Sequence, residues 1–345
     1  MKRLRVLLLL VVAVALAATA CSSSDESLLD TVKSNDSVKC GTRDALPGFA
    51  VLGADGNYTG FDSDFCRVIA AGVLGDAAKV EFVPLETSAR FTALQSGEID
   101  VLVRNTTWTG TRDGSEGASF QTVTFYDGQG MMVATDSAYT GVADMDGTTI
   151  CLVEGTTTQI NVVTIFEFNN ITLTEALSFA DTDLVQEAFI SGRCDGWTSD
   201  SSQLVALRST YPDSAGGPEA LTILPDIFSK EPLAPAVTDG DTKWGSAVNW
   251  AVMATIQAEE WGITSANVDS FLTSENPDIV RFLGGAEDFD PGLGLPSDFA
   301  YQVIKQVGNY GEIWDANIAP LGIARDGTVN DLWINGGLLY SAPYK

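Results

Sequence analysis

The chain contains no histidine. That removes imidazole general bases and His-containing nucleophilic triads from consideration. With no CxxC pair either, the usual tetrahedral zinc sites lack their ligands, and neither a metal nor any other cofactor is expected. Cations are scarce: 19 Lys and Arg stand against 46 Asp and Glu, a formal charge of −27. Nucleic acid, which needs a basic face, is excluded as a partner, and so is docking on anionic lipid by charge. Long apolar runs are missing as well. The one from Val6 to Leu16 falls short of the roughly 20 residues a spanning helix needs.

That run has a different use. It follows Lys2, Arg3 and Arg5 and precedes Ala17-Ala18-Thr19-Ala20-Cys21. A basic start, a short apolar core and small residues before a break make an export signal. The stop at Cys21 resembles a bacterial lipobox, which implies cleavage before Cys21, a lipid on its thiol and attachment to a membrane. Cleavage would take away the three leading cations and leave −30 from −27. The excess charge suits solubility outside the cell. The polar run Ser22 to Glu26 reads as the start of a flexible tether. Four cysteines remain, Cys40, Cys66, Cys151 and Cys194, an even set that reads as disulfides in an oxidising compartment. Three pairings are open. Grouping by half favours Cys40 with Cys66 and Cys151 with Cys194.

Val38–Thr42, Lys79–Pro84 and Ile99–Val103 read as strands. Between them lie helices, one entered at Asp62 as N-cap, one starting at Ser88 and closed by Gly97. Strand and helix in alternation predict an α/β fold with parallel strands. Phe125–Ala134 reads as a strand leaving the first half and Thr149–Val153 as the strand opening the second. Lys230–Pro235 reads as a rigid return crossing, and Thr242–Glu260 as a long helix with Trp244, Val248, Val252 and Ile256 on one face.

One stretch stands apart from this regular pattern. Arg104–Arg112 reads RNTTWTGTR and follows a strand. Two guanidiniums among small hydroxyls can hold an anion, a carboxylate above all. Residues 93–102 (ALQSGEIDVL) and 188–197 (AFISGRCDGW) also echo each other as helix end, glycine and strand. Carrying that register forward aligns Asn105 with Asp200, at the carboxyl ends of equivalent strands, where open α/β sheets bind ligands. Glu154-Gly155-Thr156-Thr157-Thr158 leads into a helix expected from about Gln159, whose start offers free amides to an anion.

These residues resemble the extracytoplasmic amino-acid-binding proteins of ABC importers, in their general L-amino-acid-binding branch. The motifs that carry the resemblance include CGTRDALPGF (40–49), GFDSDFCR (60–67), RFTALQSGEIDVLVRNTTWT (90–109), VEGTTT (153–158), SGRCDGWTSD (191–200) and SKEPLAP (229–235). The resemblance implies the two-lobe, type II periplasmic-binding-protein fold, with mostly parallel sheets and two hinge crossings. The expected organisation is a leader (1–20), a lipid-anchored tether (21–35), the first lobe (36–133), the second lobe (134–235) and a return to the first lobe (236–345). A monomer would close on one L-amino acid and present it to membrane permease subunits. The resemblance implies that Arg112 and Thr107 hold the α-carboxylate with the backbone N–H of Thr157, and that Asp200 holds the ammonium. Arg43, Thr87 and Asn105 would complete the site, with Trp108 lining the side-chain pocket or packing behind it.

Two other readings compete. An enzyme on the same fold, such as a dehydratase, would need a carboxylate base, for which Glu86 is a candidate. An amino-acid-sensing domain would need a receptor on a separate chain.

Overall fold

The computed structural model describes residues 27–286 and 290–345. The expected leader, Cys21 and residues 22–26 lie outside them. Residues 28–35, expected as tether, are instead the helix Leu28–Asn35. Leu29 and Val32 share one face and are buried, a spacing that favours helix over coil. The Asp241 carboxylate fastens this helix, accepting from Leu28 N–H (2.6 Å) and Ser27 Oγ–H (2.9 Å). The same carboxylate caps the Thr242–Glu260 helix through Trp244 N–H (2.9 Å).

The strands in chain order are β1 Val38–Thr42, β2 Ala45–Leu46, β3 Ala50–Leu52, β4 Tyr58–Thr59, β5 Val80–Pro84, β6 Val101–Leu102, β7 Ala118–Phe120 and β8 Phe125–Asp127. They continue as β9 Gln129–Ala134, β10 Thr148–Val153, β11 Leu173–Phe179, β12 Gly196–Asp200, β13 Leu221–Ile223, β14 Glu231–Leu233 and β15 Ala236–Thr238. Two five-stranded sheets carry the fold, ordered β5-β1-β6-β15-β7 and β11-β10-β12-β9-β13. Each is built the same way. A parallel trio (β5-β1-β6 or β11-β10-β12) is extended by an antiparallel strand, β15 or β9. This is the α/β architecture of the type II periplasmic-binding fold. The chain crosses between the sheets along β8 and β14, which pair antiparallel with Asp127 opposite Glu231.

The strand expected over Phe125–Ala134 is therefore two strands. The chain breaks at Gly128, where an added Cβ would lie 2.3 Å from the Ile227 side chain. By Gln129 it already belongs to the second sheet, ahead of the boundary expected at residue 133. Asp62 is not the cap of its helix either. Phe61–Leu74 begins after Gly60, whose φ of 125° only glycine adopts readily. That leaves the Asp62 carboxylate free to accept from Asn105 N–H at 2.7 Å.

The first half packs around Phe61, which meets Phe49, Phe65, Phe125, Tyr310 and Trp314 edge-on. The expected face of Thr242–Glu260 is fully buried, and Ala247, Ala251, Ala254 and Ala258 are buried with it, as in a helix enclosed by its own core. Gly72 lets the Phe61–Leu74 helix approach closely, since a Cβ there would meet that of Ala251 at 2.9 Å. Disulfides join Cys40 to Cys66 and Cys151 to Cys194, the pairing that grouping by half favoured. Cys40 on β1 is tied to the Phe61–Leu74 helix, and Cys151 on β10 to the loop just before β12.

Candidate functional site

The carboxyl ends of the two parallel trios converge on one pocket, about 410 Å³ when its opening to solvent is counted. Of the residues singled out in the sequence, Arg43, Thr87, Asn105, Thr107, Arg112, Thr157 and Asp200 line it. Arg43 follows β1 directly. Arg112 lies on the short Gly110–Ser115 helix, whose cap is the Thr109 hydroxyl accepting from Arg112 N–H (3.2 Å). The Arg112 guanidinium donates to Thr107 O at 2.8 Å, so the two residues are fixed as a unit. Asn105 adopts φ 34°, and its Nδ2 reaches Gln203 Oε1 at 3.2 Å.

From the second half, Thr156 caps the helix Thr157–Phe168, which begins two residues earlier than expected. Its first turn leaves backbone N–H groups and the positive end of the helix dipole at the pocket. Thr157 Oγ1 is already engaged, donating to Glu231 Oε2 at 2.8 Å. Asp200 ends β12, starts the Ser201–Ser209 helix and is buried. It is the one carboxylate in the lining. Burial, with Asp127 and Glu231 close by, pushes its carboxyl well above the usual range, while Arg112 and Arg90 pull the other way.

Two expected residues fall differently. Trp108 is 40% exposed and stacked on Phe120 at 6.0 Å, outside the pocket lining. Its neighbours turn inward while its own N–H bonds Pro232 O on the crossing strand (2.8 Å). Glu86 is exposed and also outside the lining.

Other members were not assigned to the site from the sequence, although Arg104 is one of the two guanidiniums of the anion-holding stretch. Arg90 and Arg104 line the pocket and are buried, as are Thr158 and Gln203. Burial pulls Arg104 down to about 9, assisted by the neighbouring charge of Arg43. Arg104 Nη2 donates to Thr87 Oγ1 at 3.1 Å and its Nε to Leu85 O at 2.8 Å. Beneath the site, Glu231 is buried and accepts from Thr157, Asn161 and Ser229. A glutamate in a Pro-rich crossing was the available signal for it. For Arg104 the signal was its place in the RNTTWTGTR stretch.

Several bonds span the halves directly. Arg43 Nη2 donates to Thr182 Oγ1 (2.8 Å), and Arg90 Nη2 and Arg112 Nη2 donate to Gly155 O (3.1 and 3.5 Å). The pocket is thus bounded by both sheets at once. Guanidiniums from the first half face a helix start and a carboxylate from the second, which suits a small molecule bearing both a carboxylate and an ammonium.

Residues 38–266 match the family of bacterial extracellular solute-binding proteins, family 3. The general L-amino acid-binding periplasmic protein AapJ of Rhizobium johnstonii is 46% identical over 333 residues, covering 95% of this chain and 96% of that protein. The glutamate/glutamine/aspartate/asparagine-binding protein BztA of Rhodobacter capsulatus is 44% identical over 332 residues, covering 95% and 96%. Among solved structures, an ABC transporter periplasmic binding protein from Brucella ovis with glutathione bound aligns with a TM-score of 0.87 and 42% identity. That alignment covers 93% of this chain and 100% of the other.

Proposed function

Because the chain belongs to the bacterial extracellular solute-binding proteins of family 3, we propose that it captures L-α-amino acids outside the cytoplasmic membrane and delivers them to an ABC permease by closing its two lobes. The observation that carries this reading is the division of the pocket. Arg112 and Thr107 come from the first half, Asp200 and the Thr157 helix start from the second. The first half offers the pocket no carboxylate for an ammonium, and the second offers it no guanidinium for a carboxylate. Contacts complete only in the closed form are what a ligand needs to drive closure.

In this reading the α-carboxylate sits on the Arg112 guanidinium and the first N–H groups of the Thr157 helix. The ammonium sits against Asp200. Arg43 and Thr87 face the side chain. Asp200 serves as an anchor rather than a base, so the ligand leaves unchanged. The lobes divide at the β8 and β14 crossing, and the chain acts as a monomer tethered through a lipid on Cys21.

Calorimetric titration of the mature protein with the common L-amino acids tests the assignment, with mass spectrometry of the recovered ligand. Binding with the ligand unaltered is expected. No binding of any L-amino acid, or chemical conversion of one that binds, would overturn it.

A further inference from the structure

Nine arginines follow the leader, and four of them, Arg43, Arg90, Arg104 and Arg112, line this one pocket. Of the other five, three are paired: Arg67 with Asp64, Arg281 with Asp278 and Arg325 with Glu259. Among the described residues none of the four pocket arginines has an ion-pair partner. Three of them, Arg90, Arg104 and Arg112, are buried all the same. Buried charges are ordinarily paired, because leaving water without a counter-charge is costly.

The crowding is specific. Arg90 and Arg112 both aim Nη2 at the Gly155 carbonyl and both sit by the ring of Phe91. Two like charges are thus directed at one point. Arg90 Nε is buried with no hydrogen-bond partner. Arg104 stands behind, held by Leu85 and Thr87. Against these four cations the lining offers one carboxylate, Asp200. Asp62 lies behind Asn105, held by that residue's N–H.

A zwitterion of zero net charge leaves this imbalance in place. Its carboxylate engages Arg112 and its ammonium engages Asp200, so no ligand group meets Arg43, Arg90 or Arg104, although Asp62, Glu86 and Asp44 act on Arg43 and Arg104 from outside the lining. Resting on the amino-acid reading above, we propose that Arg90, with Arg43 and Arg104, reads a second carboxylate on the ligand, so that the site selects amino acids of net negative charge. The chemistry required is an α-amino-acid head with a further carboxylate. Free glutamate and aspartate carry it at short reach, and a γ-glutamyl tripeptide such as glutathione carries it at longer reach.

The test is competitive titration of the mature protein with L-glutamate, L-glutamine, L-aspartate and glutathione. Glutamate and glutamine have nearly the same shape and differ in side-chain charge. At least one carboxylate-bearing ligand is expected to bind tenfold or more tightly than glutamine, and comparing glutamate with glutathione tells which reach fits. Arg90→Gln is expected to shrink that ratio at least fivefold and Arg90→Lys to restore part of it. The melting temperature of each ligand-free variant checks that it folds. Glutamine binding as tightly as every carboxylate-bearing ligand overturns the proposal from the unaltered protein alone. So does a loss in Arg90→Gln shared equally by all ligands. In both cases the amino-acid reading survives. Failure to bind any of the four, or any other L-amino acid, overturns both.

Discussion

Asp100 and Asp195 occupy the same place in the two halves. Asp100 accepts Lys39 N–H on its carboxylate at 2.7 Å and donates its own N–H to Lys39 O at 2.8 Å. Asp195 makes the same pair with Thr149, both bonds at 2.8 Å. Each follows a left-handed glycine, Gly97 (φ 73°) or Gly192 (φ 72°). Each glycine in turn follows a serine whose hydroxyl bonds back to the helix, Ser96 to Ala93 O and Ser191 to Ala188 O. The sequence echo is therefore one structural device used twice, locking the first strand of each parallel trio to the third.

The two copies differ in burial, and their mutants should differ with it. Asp100 is buried and Asp195 exposed. Hydrogen bonds to charged groups are worth about 1.5–3 kcal/mol where water cannot substitute. Asp100→Ala should lower stability in urea titration by about that amount, and Asp195→Ala by less than half as much. Equal losses would mean that burial does not set the value of the bond.

Arg112→Ala and Asp200→Asn should weaken every amino-acid ligand by similar factors, whatever its side chain. Removing one partner of a buried charge pair costs about 2–5 kcal/mol, or roughly thirty-fold to several-thousand-fold in affinity. Arg43→Ala should instead change the ranking of ligands, because its proposed contact is with the side chain. Titration of the three variants with an acidic, an amide and an aliphatic amino acid decides it. A re-ranking in Asp200→Asn with the best affinity intact would remove Asp200 as the ammonium anchor.

Ligand capture should release protons. The Asp200 carboxyl is held well above the usual range in the ligand-free protein, and an incoming ammonium favours its ionised form. Affinity should therefore rise with pH until Asp200 is ionised without ligand. Calorimetry near pH 6 in buffers of different ionisation enthalpy should give apparent heats that reveal the released protons. Identical heats in all buffers would argue against the coupling.

Asp62 gives stability a slope of definite sign. Burial pushes its carboxyl up to about 7, while Asn105 N–H and Arg43 pull it down. A carboxyl raised on folding binds its proton more tightly in the native state. Its contribution is thus largest at low pH and is lost as pH rises from about 4 to about 7, on the order of a few kcal/mol in all. Asp62→Asn keeps an acceptor for Asn105 N–H and removes that loss. The variant should melt higher than the parent at pH 7.5 and show little difference at pH 4.5.

Both disulfides should be complete in the exported protein. Cys40–Cys66 and Cys151–Cys194 close segments of separation 26 and 43. Cross-links of that span restrict the unfolded chain by about 3–4 kcal/mol each. Thiol labelling of denatured, unreduced protein lacking Cys21 should find no reactive cysteine, and reductant should lower the melting temperature.

Much of this was legible in the chain because it is local. Val38–Thr42 and Thr242–Glu260 were read with their observed bounds, since apolar spacing and caps decide them. Arg112, Thr107 and Asp200 were visible because strand ends in a parallel sheet face one way. Arg90 and Gln203 were not: each begins to matter only when two distant elements meet, and nothing beside them in the sequence reports that meeting. Asp62 was misread for a similar reason. Its carboxylate suits a cap by residue type, but Gly60 supplies the turn and Asn105 lies far along the chain. The helix Leu28–Asn35 was missed because its partner, Asp241, is more than two hundred residues away.

The crossing strands are where the proposed closure would pivot. Just before Asp127, the backbone is held by the first half: Tyr126 N–H bonds Asn330 Oδ1, and Tyr310 hydroxyl bonds Thr124 O. Just after it, Gly128 O accepts from Ser201 N–H and Gln129 N–H donates to Ser229 Oγ. On the other strand, Pro232 O and Ala234 N–H are tied to Trp108 and Thr106, while the Glu231 side chain is tied to Thr157 and Asn161. The proposed closure would then turn at Asp127 and Glu231, which face each other across the pair. Groups on an axis hardly travel. Asp127 and Glu231, which act on Asp200 from beneath, would therefore hold nearly still while the halves closed. An arriving ammonium would then meet the same attractive field in an open protein that holds it in a closed one.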